Sequence, residues 1–248
     1  MAVYPVFLNN LSEQRTLIFG GNDEAERKAG ELLEVGADVT LFTPDPTEQL
    51  RRYAEESRLD WVERWYEPGD LEDAFMVIVS EQNPEATDPI WEEADERNVL
   101  FCAMDDIPHC NFFNGSVVRR GPLVIAISTT GAAPTVSVRI RERLEEEYGP
   151  EYGHYLELMQ ALRDPMARHH PDFDERLELW YELVDSPLLA LIEEERYDLA
   201  RSLVGEIAGE EVSTQVNGAL PRSNAGRAAA GNGEQTGWFR RLLDRITN

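Results

Sequence analysis

Leu17-Ile18-Phe19-Gly20-Gly21-Asn22-Asp23-Glu24-Ala25-Glu26-Arg27-Lys28 decides the fold. An apolar run breaks at two glycines, and the polar stretch after it places Ala25, Ala29, Leu32 and Leu33 at the spacing of one helix face. The segment therefore reads as a strand, a tight turn and a helix start. Gly20-Gly21-Asn22-Asp23-Glu24-Ala25 fits Gly-x-Gly-x-x-Gly/Ala with asparagine at the second defining glycine. Small residues let the backbone approach a pyrophosphate, and a helix N-terminus adds amide donors and positive potential. Asparagine tolerates positive φ better than most side chains, so a left-handed Asn22 is expected and the turn is kept. Gly20, Gly21, Asn22, Asp23, Glu24 and Ala25 are thus candidate dinucleotide-binding residues. The competing reading is a plain βα turn in an α/β protein that binds no nucleotide.

Outward from this turn, the first half of the chain alternates strand-like and helix-like segments. A helix over 23–35 stops at Gly36, where a left-handed cap is expected. Val39 to Phe42 is the next strand. Pro44-Asp45-Pro46 then turns the chain into a polar helix, and Pro44 and Asp45 complete the candidate cofactor set. Strands follow at Phe75 to Val79 and Val99 to Met104, with a helix over Pro89 to Arg97 between them. The order β-α-β-α-β-α-β predicts an α/β, Rossmann-like parallel sheet over residues 1–115. Two strands around the Arg119-Arg120-Gly121-Pro122 turn and a helix opened by Pro134 make a small mixed region, 116–148. Helices over Glu151 to Arg168, Asp172 to Val184 and Pro187 to Ile207 make a helical domain, 149–208. Residues 209–236 turn Gly-, Ala-, Ser- and Asn-rich, as flexible linkers do, and 237–248 regain helical periodicity with arginines beside one apolar face. That terminal helix suits docking on a partner enzyme, contact with a membrane surface, or folding back on its own domain.

The chain has 248 residues and 42% apolar content, enough for a buried core. No apolar run has the length of a bilayer span, and the start lacks the basic and apolar regions of a secretion signal. Acidic residues outnumber basic ones 48 to 23, for a net charge of −25, and Lys28 is the only lysine. Such a surface stays hydrated where salt screens charge over ~3 Å, so the charge reads as salt adaptation. It also disfavours nucleic acid, whose phosphates it would repel. The two cysteines, Cys102 and Cys110, have no metal-ligand spacing, and no resident metal is expected. A reduced, cytoplasmic setting fits this usage.

Two blocks in order carry a more specific signal. The first runs from Phe19 to Pro44, with Gly20-Gly21, Ala25-Glu26-Arg27-Lys28, Leu32-Leu33, Gly36-Ala37 and Val39-Thr40, preceded by Tyr4-Pro5-Val6-Phe7-Leu8. The second holds Phe101-Cys102-Ala103-Met104-Asp105-Asp106, Cys110-Asn111-Phe112, Val117-Val118-Arg119-Arg120-Gly121 and Ile125-Ala126-Ile127-Ser128-Thr129-Thr130-Gly131-Ala132-Ala133-Pro134. Together they resemble the precorrin-2 dehydrogenases, the N-terminal part of the siroheme synthase family, over roughly residues 4–148.

The resemblance implies an NAD-dependent oxidation of the tetrapyrrole precorrin-2 to sirohydrochlorin, in siroheme biosynthesis. It implies Asp105 as the catalytic group that takes the proton leaving the macrocycle, and Asp105 also follows the last core strand, at the edge where α/β sheets place ligands. Asp106 is the neighbouring alternative, as is a solvated turn aspartate with no chemical role. In relatives that insert Fe²⁺ as a chelatase substrate, the same carboxylate helps strip pyrrole protons. The resemblance further implies a homodimer. A substrate rich in carboxylates calls for local positive charge, which Arg119, Arg120 and Arg139 supply beside Arg141 and Arg143. They flank Ser128, Thr129, Thr130 and Gly131, whose hydroxyls and amides suit anions. With Asn111 these make the candidate substrate set, against the reading that the arginines pair with glutamates on a solvated helix. His109 is a further candidate for proton transfer. A chelatase-only enzyme, favoured by Asn22 and Glu24, and a non-catalytic tetrapyrrole- or nucleotide-binding module are the other readings.

Overall fold

The computed structural model describes residues 3–80, 84–104, 106–216 and 218–221. The first unit takes the described residues up to Val117 together with Ala126–Arg143, and the second takes Val118–Ile125 and those from Leu144 onward.

The first unit is built on a five-stranded parallel sheet of β1 (Arg15–Phe19), β2 (Asp38–Phe42), β3 (Asp60–Val62), β4 (Met76–Val79) and β5 (Leu100–Ala103), in spatial order β3-β2-β1-β4-β5. The strands are short and apolar because both faces are covered. Ile18, Val39, Leu41, Met76 and Ile78 pack on Ala25, Ala29 and Leu32 of α1 (Asp23–Glu34) and Leu50 of α2 (Glu48–Glu55). Their alternates Leu17, Phe19, Val77, Val79 and Phe101 meet Ile90 and Ala94 of α3 (Pro84–Arg97). Helix α1 ends as its sequence predicts: Gly36 has φ 73°, Ala37 N–H donates to Leu32 O (3.0 Å) and Gly36 N–H to Leu33 O (3.1 Å), a Schellman closure.

Two departures in this unit have physical causes. β3 escapes sequence reading because it has three residues, none fully buried, and exists by pairing with the free edge of β2. Helix α3 starts at Pro84 and not at Pro89, which lies inside it. Burial of Thr87, Ile90 and Ala94 against the sheet outweighs the hydrogen bond that Pro89 cannot donate.

β6 (Ser116–Arg120) and β7 (Leu123–Ile127) form a separate two-stranded sheet, followed by α4 (Pro134–Glu147). The second unit closes its own core with α5 (Glu151–His169), α6 (Phe173–Asp185), α7 (Leu188–Glu193), α8 (Tyr197–Ala208) and α9 (Glu210–Gln215), around Leu158, Leu162, Met166, Leu183, Ile192 and Val204. The single helix expected over Pro187 to Ile207 is two, because Glu195 turns left-handed (φ 56°) with Arg196 N–H donating to Leu191 O at 2.8 Å. Residues 210–215, expected to open the linker, are helical, and Val212, Val216 and Leu220 are buried in this core. Composition hides this because three apolar residues are enough to anchor so short a helix. The rest of the expected linker and the terminal helix, 222–248, lie outside the described residues. Among the described residues no helix is long and apolar enough to cross a membrane.

Candidate functional site

Strand order places the candidate site. β1 lies between β2 and β4, and the chain passes from β3 at one edge of the sheet to β4 on the other side of β1. Connections leave the carboxyl ends of β1 and β4 in opposite directions, which opens a crevice there. The turn after β1 sits in it.

Each residue of that turn has a distinct role. Gly20 has φ 136°, a conformation that side chains disfavour, and its N–H donates to Phe42 O at 3.1 Å. Gly21 is pressed against the loop after β2: a Cβ there would lie 2.2 Å from Asp45 O and 2.6 Å from Thr43 Oγ1. Thr47 N–H donates to Gly21 O at 3.0 Å and closes the contact. Asn22 is not left-handed, contrary to expectation. Its φ of −87° and ψ of 179° are extended, and it caps α1, with Oδ1 accepting from Ala25 N–H (3.0 Å) and Nδ2 donating to Ser80 O (3.1 Å). The positive φ falls two residues earlier, at Gly20, so the turn is made before Asn22. Asn22 therefore ties the ends of β1 and β4 together across the crevice.

Of the three carboxylates in the first turn of α1, one is paired with a cation and one is held by a hydroxyl. Arg27 Nε donates to Glu24 Oε2 at 3.1 Å, so Glu24 turns along the helix, and Glu26 accepts from Thr47 Oγ1 at 2.7 Å. Asp23 is exposed. Pro44 and Asp45 stand beside Gly21 at the end of β2, and Asp45 is exposed, 3.2 Å from Arg51. An exposed carboxylate at this place suits ribose hydroxyls, and the glycine turn with a helix N-terminus suits a pyrophosphate, so the residues present fit a dinucleotide. Thr43, Thr47 and Ser80, which hold this constellation together, were not legible as site residues; the only signal was their place at strand ends.

At the end of β5, Asp105 lies outside the described residues. Asp106 accepts from His109 Nδ1 at 2.5 Å, and this hydrogen bond raises the imidazole pKa above its usual value. Trp91 lies against the same ring at 5.5 Å between centroids. Asn111 spends its side chain on the free edge of β5: Oδ1 accepts from Phe101 N–H (2.7 Å) and Nδ2 donates to Val99 O (2.9 Å). Among the described residues no cluster of three His, Cys, Asp or Glu could hold a metal.

The remaining candidates are spread over both units. In the first, Ser128 is exposed, Thr130 and Gly131 are left-handed (φ 52° and 80°), Thr130 N–H donates to Ser128 Oγ at 3.1 Å and Ala133 N–H to Thr129 Oγ1 at 3.3 Å. Arg139 is exposed and pairs with Glu142 at 2.8 Å. In the second, Arg119 is exposed, whereas Arg120 donates to the carbonyls of Tyr148 (2.9 Å), Arg119 (2.9 Å) and Glu145 (3.3 Å), closing the end of α4.

Three family models match in succession: putative NAD(P)-binding over residues 7–116, sirohaem biosynthesis protein central over 120–147, and sirohaem synthase dimerisation region over 151–206. The siroheme synthase of Xylella fastidiosa is 32% identical over 231 residues, 93% of this chain and 48% of that protein. That of Acinetobacter baylyi is 31% identical over 211 residues, 85% of this chain and 46% of that protein. The chain thus spans about half the length of the curated relatives it matches. A solved structure described as SirC, precorrin-2 dehydrogenase, superposes with a TM-score of 0.70 at 23% identity, covering 83% of this chain and 98% of that one. It shares the fold.

Proposed function

The chain belongs to the siroheme synthase family, matching the N-terminal half of its curated members, and from that premise we propose that it oxidises precorrin-2 to sirohydrochlorin with NAD as the hydride acceptor. The observation that carries the reading is the turn at Gly20 and Gly21, set in the crevice beside β4 and followed by a capped helix. The oxidation removes a hydride and a proton from the macrocycle. Nicotinamide, when bound, supplies the hydride-accepting carbon. The backbone at Gly20 and Gly21 and the first turn of α1 would hold the pyrophosphate, and Asp45 would receive the ribose hydroxyls. Asp105 takes the proton. Its role rests on its place after β5 and on the family pattern, and Asp106 is a weaker base candidate because it is engaged with His109. Ser128, Thr129, Thr130, Gly131, Arg119 and Arg139 are assigned to the substrate's carboxylates. Asn111 and Arg120 are less suited to that role, since their polar groups are held by backbone partners.

The test compares Asp105→Asn with Asp106→Asn, following NADH formation and the product spectrum together. Loss of a general base costs roughly a hundredfold or more in turnover, so the first variant is expected to fall by that much and the second to keep most activity. A fully active Asp105→Asn would sink the assignment.

One observation favours a second reading, a chelatase that inserts Fe²⁺ into supplied sirohydrochlorin: Asn22 takes up the Ala25 N–H, one donor a pyrophosphate would otherwise meet. Calorimetric titration with NAD separates the two, because a chelatase needs no cofactor affinity. The dimerisation-region match supports a homodimer, the cysteine usage supports a reduced cytoplasm, and the acid excess supports salt adaptation. Unchanged stability on dilution from high salt into low-salt buffer would count against salt adaptation.

A further inference from the structure

The only two cysteines of the chain, both free thiols, meet at the end of β5. Cys102 is the third residue of β5 and is buried, alternating with Phe101 and Ala103 on the other face of the sheet. Cys110 follows the short 3-10 turn Ile107–His109 and is half-buried, with its Sγ 3.9 Å from that of Cys102. The return of the chain is enforced: Asn111 N–H donates to Phe101 O at 3.0 Å while the Asn111 side chain holds Val99 and Phe101. Both ends of the 102–110 segment are therefore clamped with the two sulfurs face to face. The proposed dehydrogenase chemistry uses neither thiol.

We propose that Cys102 and Cys110 form a reversible thiol–disulfide couple that reacts with low-molecular-weight disulfides. The thiols are unequal, as such a couple needs. Its pairing with Cys102 brings the Cys110 thiol down to about 7 against the opposing effect of burial, with His109 helping and Asp106 opposing. Cys102 is pushed up by that same pairing and by burial, and Lys28 on α1 counters only part of the shift. Cys110 is thus the attacking thiolate and Cys102 the resolving thiol. Cys110 attacks one sulfur of the external disulfide and expels one thiolate. Cys102 then attacks the Cys110 sulfur of the mixed disulfide, expels the second thiolate and passes its proton to it. Two protein thiols are oxidised and one external disulfide is reduced to two thiols. The sulfurs must approach from 3.9 Å to a bond of about 2.05 Å, within reach of a side-chain rotation and a small shift of the 3-10 turn.

The test incubates the reduced full chain in buffers of graded oxidised-to-reduced glutathione ratio, then alkylates and measures intact mass. The expected result is loss of both thiols at one midpoint, a mass lower by two hydrogens, no cross-linked chains, and recovery with dithiothreitol. Cys102→Ala should stop at a glutathione adduct on Cys110, and in the native chain the rate of the first step should level off above about pH 8. A native chain that stops at the adduct, keeps both thiols, or cross-links to a second chain overturns the proposal. So does a first step still climbing in proportion to hydroxide above about pH 8. The readout is mass and not turnover, so its outcome is separate from that of the Asp105 assay.

Discussion

At Gly21 and Asn22 the sequence pattern and its physical cause come apart. The motif asks for glycine at position 22, so that a cofactor can approach, and leaves position 21 open; in the structure it is Gly21 that must be glycine, because Asp45 O occupies the space of a Cβ. Gly21→Ala should therefore cost about 3 kcal/mol or more, since backbone cannot yield as a side chain tip can. Asn22→Ala should cost about 1 kcal/mol, the usual loss of an N-cap. Urea unfolding of both variants, without any nucleotide, checks this; equal losses would mean that the turn is not pinned to the β2 loop. Which residue has positive φ was not legible, because it depends on how closely β1 and β2 approach.

Among the elements, the connection from β3 to β4 owes its shape to one carboxylate on α3. Glu93 accepts from Tyr66 Oη (2.5 Å), Gly69 N–H (2.9 Å) and Arg97 Nε (2.7 Å). Burial would raise its pKa, but these donors outweigh burial and hold it below the usual carboxylate range. Asp70 in the same connection is held down by Arg64, at 2.7 Å. For carboxylates depressed in the folded state, the contribution to stability is present above the unfolded pKa of about 4 and is lost as pH falls through the lower folded value. Glu93→Gln should destabilise the chain by roughly 1–3 kcal/mol at neutral pH, with the gap from the parent closing towards about pH 3. A gap unchanged across that range in denaturant titrations would show that the charge of Glu93 contributes nothing. No periodicity announced this network, since Tyr66 and Glu93 lie far apart in sequence and meet only through the sheet.

The whole molecule raises the question of what covers the second unit. Helix α6 exposes Phe173, Leu177, Tyr181 and Val184, four large apolar side chains at the spacing of one face, within the stretch that matches the dimerisation region. A homodimer that buries this stripe should be split by Tyr181→Glu, because an unpaired charge in an apolar interface is costly. Sedimentation of the variant should give the monomer mass where the parent gives a dimer. A dimeric variant would move the interface elsewhere.

The sequence by itself determined the α/β class, the place of the glycine turn after the first strand, and the left-handed stop at Gly36. These rest on local chemistry: residue period, glycine at forced dihedrals, and apolar runs bounded by turn residues. Only the tertiary structure decided strand β3, the start of α3 ahead of Pro89, the break at Glu195, the helix at 210–215 and the side-chain commitments of Asn22, Asn111 and Arg120. Each of these depends on a partner distant in sequence, whether a free strand edge, a buried face or an open carbonyl. Local propensity is too weak to overrule such a partner or to reveal it.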